Sequence, residues 1–453
     1  MRFSFLLLSL LLLLSCKTSN SDSSANDISI TDGHPSWIMQ GNIYEVNTRQ
    51  YTAEGTFNAF AKHLDRLKEM GVQTLWFMPI NPISLKDRKR DSTQLGSYYA
   101  VADYRKINPE YGSMEDWKNL VKTAHEKGFK VIIDWVPTHS GADHYWLNTQ
   151  PEFYEKDSLG NPISQFDWTD TRKLNYKNPA LVDSMIECMK FWIKETNIDG
   201  YRCDVAGELP NEFWSKCIPE LKKLKNIFML AEGDKPSLHD VGFDASYTWE
   251  EFDMMKRIAR GERKATALDS IILKHDTTFQ KNSIRMYFTS NHDENSWNKA
   301  DFATMPGDVH APFAVLTQTI KRTVPLIYGG QEEPFLDSLK FFVKDTIIFG
   351  NYKRQEFYKK LLMLRKENVA LSANSSFTKI TSSNDANIFA FVRSQEKNKV
   401  LVVTNLSSSQ QNFTFSNEMI NGDVKELFTG SKQKITTNQI LSLPAWGYAV
   451  YVY

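Results

Sequence analysis

An α/β protein, built as a (β/α)8 TIM barrel with a C-terminal antiparallel β-sandwich domain, is what this 453-residue chain predicts. Three observations carry that reading. Short β-rich runs alternate with amphipathic helical stretches, and eight such units fit between Trp37 and Glu367. Two long connections follow the second and third strands, so both emerge where barrel proteins build their working face. Past Glu367 the texture changes to short β-rich runs with Ser, Asn and Gly turns.

The first segment belongs to neither unit. Met1-Arg2 opens a run from Phe3 to Leu14 that is apolar apart from Ser4 and Ser9. At about 20 residues per bilayer crossing it is too short to span, and its length suits the apolar core of a signal peptide over residues 1–15. The run ends in Leu13-Leu14-Ser15-Cys16, which resembles a bacterial lipobox, where the signal is cut before the Cys and that Cys is acylated. The resemblance implies lipidation at Cys16, attachment to a membrane through the acyl chains, and residence in the cell envelope. Lys17–Asn26 is too polar to bury surface, so residues 16–36 are expected to form a flexible tether. An ordinary secretory signal with an incidental Cys is the alternative. Cys188, Cys203 and Cys217 then remain, an odd number with no Cys-x-x-Cys pair, which suits small buried hydrophobes better than a disulfide framework or a zinc site.

The barrel is expected over residues 37–366. Its strands are Ile43–Asn47, Thr74–Met78, Lys130–Val136, Gly200–Asp204, Phe228–Glu232, Ala245–Trp249, Arg285–Thr289 and Pro325–Tyr328. Helical periodicity places helices at Phe57–Met70, Met114–Lys127, Leu181–Thr196, Asn211–Leu224, Glu251–Leu273, Ala311–Arg322 and Glu356–Glu367. The connection over 137–178, a short inserted loop region after strand three, is rich in Asp, Trp, Tyr and Pro. Residues 367–453 form the β-sandwich domain, with strands at Asn387–Arg393, Val400–Asn405, Asn412–Phe415 and Tyr448–Tyr453.

Composition narrows the ligand. Lys and Arg number 54 and Asp and Glu 54, so no basic excess exists to neutralise phosphates, and nucleic acid is excluded as a partner. With 41% hydrophobic residues the chain is no acidic disordered protein either. A neutral globular chain rich in Trp, Tyr and Phe suits an uncharged, partly apolar ligand such as a sugar.

The strand ends supply chemistry. Along Gly200-Tyr201-Arg202-Cys203-Asp204, alternation puts Arg202 and Asp204 on one face, a charge-assisted pair that favours an ionised Asp. Taken alone, an Arg-x-Asp is most often a structural ion pair. Strand five delivers Glu232 at the end of an apolar run, where desolvation is expected to hold the carboxyl protonated. Strand seven ends in Ser290-Asn291-His292-Asp293, and strand three in Asp134-Trp135-Val136-Pro137-Thr138-His139. Each is unremarkable by itself. Their convergence on one rim is not.

These four segments resemble the four short sequence regions of the α-amylase family of glycoside hydrolases, in order and at the matching strands. Gly96–Gly112 and the turn Tyr328-Gly329-Gly330-Gln331-Glu332 extend the likeness. The resemblance implies Asp204 as nucleophile, Glu232 as general acid/base and Asp293 as transition-state stabiliser. It implies that His139 and His292 hydrogen-bond the sugar, that Arg202 orients Asp204, that Tyr99 stacks on the sugar's apolar face and that Asp134 is a buried support. The expected function is cleavage of α-glucosidic bonds in starch, glycogen or malto-oligosaccharides through a covalent glycosyl-enzyme intermediate. An α-glucosidase or transglycosylase with the same intermediate, or a non-catalytic glycan-binding barrel, are the alternatives.

No cofactor is called for. The family usually has Asn where this chain has Thr138, a weaker ligand for the structural Ca2+ found there, so a Ca2+ is open only elsewhere, with Asp143, Asp157, Asp167 and Asp170 in the same loop as candidate ligands. Trp146, Trp168, Trp249 and Trp297 are candidate sugar platforms, although core packing or loop anchoring is the commoner fate of such residues.

Overall fold

The computed structural model describes residues 29–88, 94–298, 308–334 and 337–453. Cys16, the signal over 1–15 and most of the tether lie outside them.

Eight parallel strands close into a barrel in chain order: β1 (Ile43–Val46), β2 (Thr74–Phe77), β3 (Lys130–Trp135), β4 (Gly200–Cys203), β5 (Phe228–Ala231), β6 (Ala245–Tyr247), β7 (Ile284–Tyr287) and β8 (Thr323–Tyr328). Pairing of Leu326 with Ile43 and Tyr328 with Glu45 joins the last strand to the first. Alternation sorts the side chains. Ile43, Trp76, Ile132, Phe228, Leu230, Ala245, Tyr247 and Ile284 belong to one buried cluster, while Tyr44, Leu75, Phe77, Val131, Ile133, Tyr201, Cys203 and Met229 belong to a second with helical residues such as Trp117, Met189 and Trp214. Close strand approach dictates Gly200: a Cβ there would lie 2.0 Å from the Phe228 carbonyl oxygen.

Two expected helices are each divided. In place of Phe57–Met70 the chain forms Phe57–Ala61 and Leu64–Met70, because Lys62 and His63 N–H bond three residues back, to Ala59 and Phe60, in a tightened turn. In place of Glu251–Leu273 it forms Trp249–Ala259 and Ala267–Thr278. Gly261, at φ +76°, donates its N–H to Ile258 and ends the first of them, a C-terminal glycine signal that the apolar periodicity masks.

The tether expected over 16–36 does not extend that far. From Ser29 the chain packs under the barrel: Ile30–Thr31 pairs with His34–Pro35 around Asp32-Gly33, both at positive φ, and buried His34 meets Asp244 at 3.0 Å. A favourable turn dipeptide and hydrogen bonds from His34 to Asp244 and the Asn282 carbonyl, from Asn282 to the Asp32 carbonyl and from Asn226 to the Ser29 carbonyl order a segment whose composition reads as loop.

After the helix Gln355–Glu367, six antiparallel strands form one sheet in the order Ser376–Ile380, Ile388–Gln395, Asn398–Asn405, Tyr448–Val452, Gly422–Glu426, Lys432–Ile435. Phe389, Phe391, Val400 and Val402 face the barrel cluster; Ile388, Ala390, Leu401 and Val403 face a two-stranded ribbon, Gln411–Phe413 with Leu441–Leu443. The second layer of this antiparallel domain is therefore a ribbon rather than a full sheet. Buried Arg393 ties the sheet to the barrel by donating to the carbonyls of Thr319 at 2.8 Å and Ile320 at 2.5 Å.

The segment over 137–178 folds back on itself. His139–Gly141 pairs antiparallel with Thr171–Lys173, returning the chain to the rim. Cys188, Cys203 and Cys217 are buried free thiols.

Candidate active site

The strands bring a charged layer together inside the top of the barrel. Register sets Asp134 of β3 beside Arg202 of β4, and both are fully buried. Arg202 Nη1 donates to Asp134 Oδ1 at 2.9 Å and to Asp204 Oδ1 at 2.7 Å, Nη2 stands 3.0 Å from Glu232 Oε2, and Nε donates to the Tyr247 hydroxyl at 3.2 Å. One guanidinium thus serves Asp134, Asp204 and Glu232. Burial opposes the Arg202 charge, but Asp134 and Glu232 outweigh it and hold Arg202 firmly cationic.

Asp204 follows β4 directly, and its N–H is fixed on the Trp135 carbonyl at 2.8 Å. The next residue, Val205, sits at φ +43°, a conformation costing on the order of 1–3 kcal/mol for a β-branched residue. That reversal points the Val205 N–H at Glu232 Oε2, 2.6 Å away. Backbone strain beside Asp204 therefore helps position the carboxyl of the neighbouring strand.

Burial distributes differently from the sequence expectation. The apolar run before Glu232 predicts desolvation there, and the structure buries Asp204 more deeply still, with its side chain 8% exposed against 16% for Glu232. Burial pushes the Asp204 carboxyl well above the ordinary range, the Glu232 charge adds to this, and Arg202 opposes it. Burial likewise lifts Asp134 to about 6 against the pull of Arg202. Arg202 is thus the group that favours an ionised Asp204, as the sequence pattern implies.

On the other side, His292 Nδ1 meets Glu45 Oε1 of β1 at 2.6 Å, while Nε2 lies 2.7 Å from the Tyr99 hydroxyl and 3.4 Å from Asp293 Oδ2. Burial disfavours the imidazolium, but Asp293 and Glu45 outweigh it and raise His292 to about 9. With both ring nitrogens protonated, Tyr99 accepts from His292 and donates to Asp134 Oδ2 at 3.2 Å. The Tyr99 ring runs near-parallel to those of His292 and Phe341, at centroid distances of 5.5 and 6.2 Å.

His139 is placed otherwise. Burial lowers it to about 4, so its ring is neutral; Nε2 donates to the Tyr99 carbonyl at 3.1 Å and Nδ1 accepts from the Thr138 hydroxyl at 2.8 Å. Both nitrogens are occupied, and the ring braces Tyr99 from behind. Thr138, the departure from the family pattern, acts here by orienting that ring.

Above this floor lies a cleft of about 520 Å³, lined by Asp204, Glu232, His292 and Asp293 below and by aromatic rings at the sides. Phe166 and Trp168 come from the 137–178 segment, Trp297 follows β7, and Phe341 and Phe342 follow β8. Phe166 and Trp297 are each 56% exposed, which leaves flat apolar faces on a polar floor, the pattern that suits a pyranose. Of the other two tryptophans, Trp146 packs against Tyr104 and Phe153, and Trp249 against Tyr247 and Phe288. The four loop aspartates do not converge: Asp143 accepts from Leu85 and Lys86 N–H, Asp157 caps its own turn at Leu159 and Asn161, and Asp167 and Asp170 line the cleft. Among the described residues no group of three or more His, Cys, Asp or Glu could hold a metal ion.

A family model described as the alpha amylase catalytic domain matches residues 17–168 and 163–398, and one for the alpha-amylase SusG C-terminal domain matches 388–449. The chain belongs to the α-amylase family of glycoside hydrolases. It is 26% identical to alpha-amylase 3 of Dictyoglomus thermophilum over 88% of this chain and 91% of that one. It is 24% identical to alpha-amylase MalA of Haloarcula japonica over 91% of this chain, and spans 63% of that protein's length. Among solved structures, the maltogenic alpha-amylase AmyB of Thermotoga neapolitana superposes with a TM-score of 0.84 at 25% identity, covering 92% of this chain and 99% of the other.

Asp204, Glu232, Asp293, His292 and Tyr99, named from sequence, meet in one cleft, with Arg202 buried beneath its floor and His139 buried behind Tyr99. Glu45, Tyr247, Phe166, Phe341 and Phe342 escape a reading of the sequence. Glu45 carries a usable signal, an acid set within the apolar strand Ile43-Tyr44-Glu45-Val46.

Proposed function

We propose that the protein is a retaining hydrolase of α-linked glucans, cleaving starch, glycogen or malto-oligosaccharides through a glycosyl-enzyme intermediate on Asp204. The observation that carries this is the single Arg202 guanidinium joining Asp204 and Glu232 at the floor of an aromatic-walled cleft beside Asp293. Retaining chemistry needs two carboxyls about 5–5.5 Å apart, and sharing the terminal nitrogens of one guanidinium suits that spacing. Asp204 attacks the anomeric carbon as Glu232 protonates the departing glycosidic oxygen; Glu232 then takes a proton from the water that displaces Asp204. Asp293 and the ionised Asp204 stabilise the positive charge that develops on the sugar ring between these states. The Tyr99 ring underlies the sugar, and the His292 imidazolium donates to the Tyr99 hydroxyl while its charge stands 3.4 Å from Asp293. The family membership and the amylase names of the relatives favour α-glucans over other glycans.

Release of reducing ends from amylose, pullulan, dextran and sucrose in parallel, with and without EDTA, tests the substrate. Amylose should be cleaved and dextran and sucrose left intact; activity on sucrose or dextran with none on amylose would overturn the reading. Product lengths from maltoheptaose separate internal cleavage from glucose release and from transglycosylation.

We also propose that Cys16 is lipidated and anchors the enzyme in the cell envelope, on the strength of the apolar run ending at Leu13-Leu14-Ser15-Cys16. In a bacterial host the full chain should incorporate labelled palmitate and sediment with membranes, and Cys16→Ala should do neither. Equal labelling of both chains would contradict the anchor.

A further inference from the structure

We propose that Glu45 is a positioning residue for the reaction, a buried carboxylate on β1 that fixes the His292 ring and supplies its counter-charge, so that the other ring nitrogen serves Tyr99 and Asp293. The inference rests on the retaining-hydrolase reading for what this positioning achieves.

Glu45 is fully buried in an apolar strand at the top of the barrel interior. Its Oε1 contacts His292 Nδ1 at 2.6 Å, while the equally buried Oε2 makes no hydrogen bond among the described residues. A half-satisfied carboxylate in a barrel interior works against stability, and an apolar residue of similar size would fill the space at lower cost. Its retention is explained by the one partner it does engage.

The groups facing His292 come from several elements. Glu45 approaches from β1, the Trp76 ring from β2 edge-on at 6.0 Å, Tyr99 from the loop after β2, Arg202 from β4, and Asp293 follows in the chain. Asp134 of β3 adds its charge and reaches the ring through the Tyr99 hydroxyl. Burial raises the Glu45 carboxyl above its ordinary range; the His292 contact and Arg202 pull it back down, and Asp293 adds to the rise. Of these carboxylates, Glu45 alone contacts Nδ1, so it decides the orientation of the ring. Nε2–H is then directed at Tyr99 Oη, which frees the Tyr99 proton for Asp134. With a neutral partner in place of Glu45, His292 sheds a proton more readily. An Nε2 lone pair would draw the Tyr99 proton away from Asp134 and leave Asp293 facing a neutral ring. Tyr99 and Asp293, which contact the sugar in this reading, would both change hydrogen-bonding state.

The test is titration of the His292 imidazole by NMR in selectively labelled enzyme, with pH profiles of kcat and kcat/KM, for wild type, Glu45→Gln and Glu45→Asp. His292 should titrate near 9 in the wild type and at least about one pH unit lower in Glu45→Gln. In that variant kcat/KM should fall roughly 10- to 100-fold, with the alkaline limb moved to lower pH. Glu45→Asp should retain the high titration with a smaller loss, and it carries the test alone if Glu45→Gln does not fold; full wild-type activity in it would overturn the positioning claim. In a His292→Asn background, Glu45→Gln should add less than about twofold, and an undiminished effect there would show that Glu45 does not act through His292. The His292 titration reads Glu45 whatever the substrate is, so an unchanged titration sinks this inference alone, whereas a shifted titration with no glucan cleavage would sink the functional reading.

Discussion

Asp204→Asn should lose kcat by roughly 10⁴- to 10⁶-fold, on good and poor leaving groups alike, because no other group can form the glycosyl ester. The fold should survive the change. The amide oxygen can still accept from Arg202 Nη1, and Arg202 keeps Asp134 and Glu232 as partners. Stability should even rise. A carboxyl whose folded value is raised above its unfolded one disfavours folding at pH values above the unfolded value, so a neutral isostere relieves that cost at pH 7. The expected thermal midpoint of Asp204→Asn therefore equals or exceeds that of wild type near neutrality, and the difference vanishes toward pH 3, where both chains are neutral at this position. Steady-state rates and thermal melts across pH check both halves. A variant with more than a few per cent of wild-type kcat would remove Asp204 from the mechanism.

Glu232→Gln should be selective rather than absolute. General acid catalysis contributes about 10²- to 10⁴-fold, and only where the leaving group needs a proton. Amylose hydrolysis should fall by that factor, while an activated glucosyl fluoride, whose departure needs no proton, should still glycosylate Asp204 at a rate near wild type. Deglycosylation then lacks its base, and the intermediate should accumulate as a burst. Azide, a nucleophile that needs no base, should restore turnover of Glu232→Ala and yield the glycosyl azide of retained configuration. Equal losses on glucosyl fluoride and amylose, with no azide rescue, would take the acid/base role away from Glu232.

Strand ends make the centre of this site legible in the amino-acid sequence. Asp204 and Glu232 follow directly on short strands and Asp293 lies just beyond the seventh, and a barrel gathers such ends on one rim. The elements blur where local signals compete: apolar periodicity runs on through the tight turn at Lys62-His63 and past Gly261, and the polar composition around Asp32-Gly33 hides a hairpin. Distribution of burial is not legible either. It depends on how Val205 turns the chain and on how Arg202 divides itself among three carboxyls, neither of which spacing reveals. Glu45 lies furthest from reach, because its meaning comes from a contact with a residue 247 positions away. The aromatic walls fall between these cases. Trp168 and Trp297 stand out as candidates, but only the folded loops separate them from buried Trp146 and half-buried Trp249, which pack against core rings.

The central claim is a covalent glycosyl ester on Asp204. Reaction with a mechanism-based glucosyl fluoride inactivator that forms the ester quickly and releases it slowly, followed by peptic digestion and mass spectrometry, tests it most directly. One hexosyl unit per chain should appear, confined to the peptide bearing Arg202-Cys203-Asp204 and lost in Asp204→Asn. A hexosyl unit mapped to Glu232, Asp293 or any other side chain, or complete turnover of the reagent with inversion at the anomeric carbon, would contradict the account.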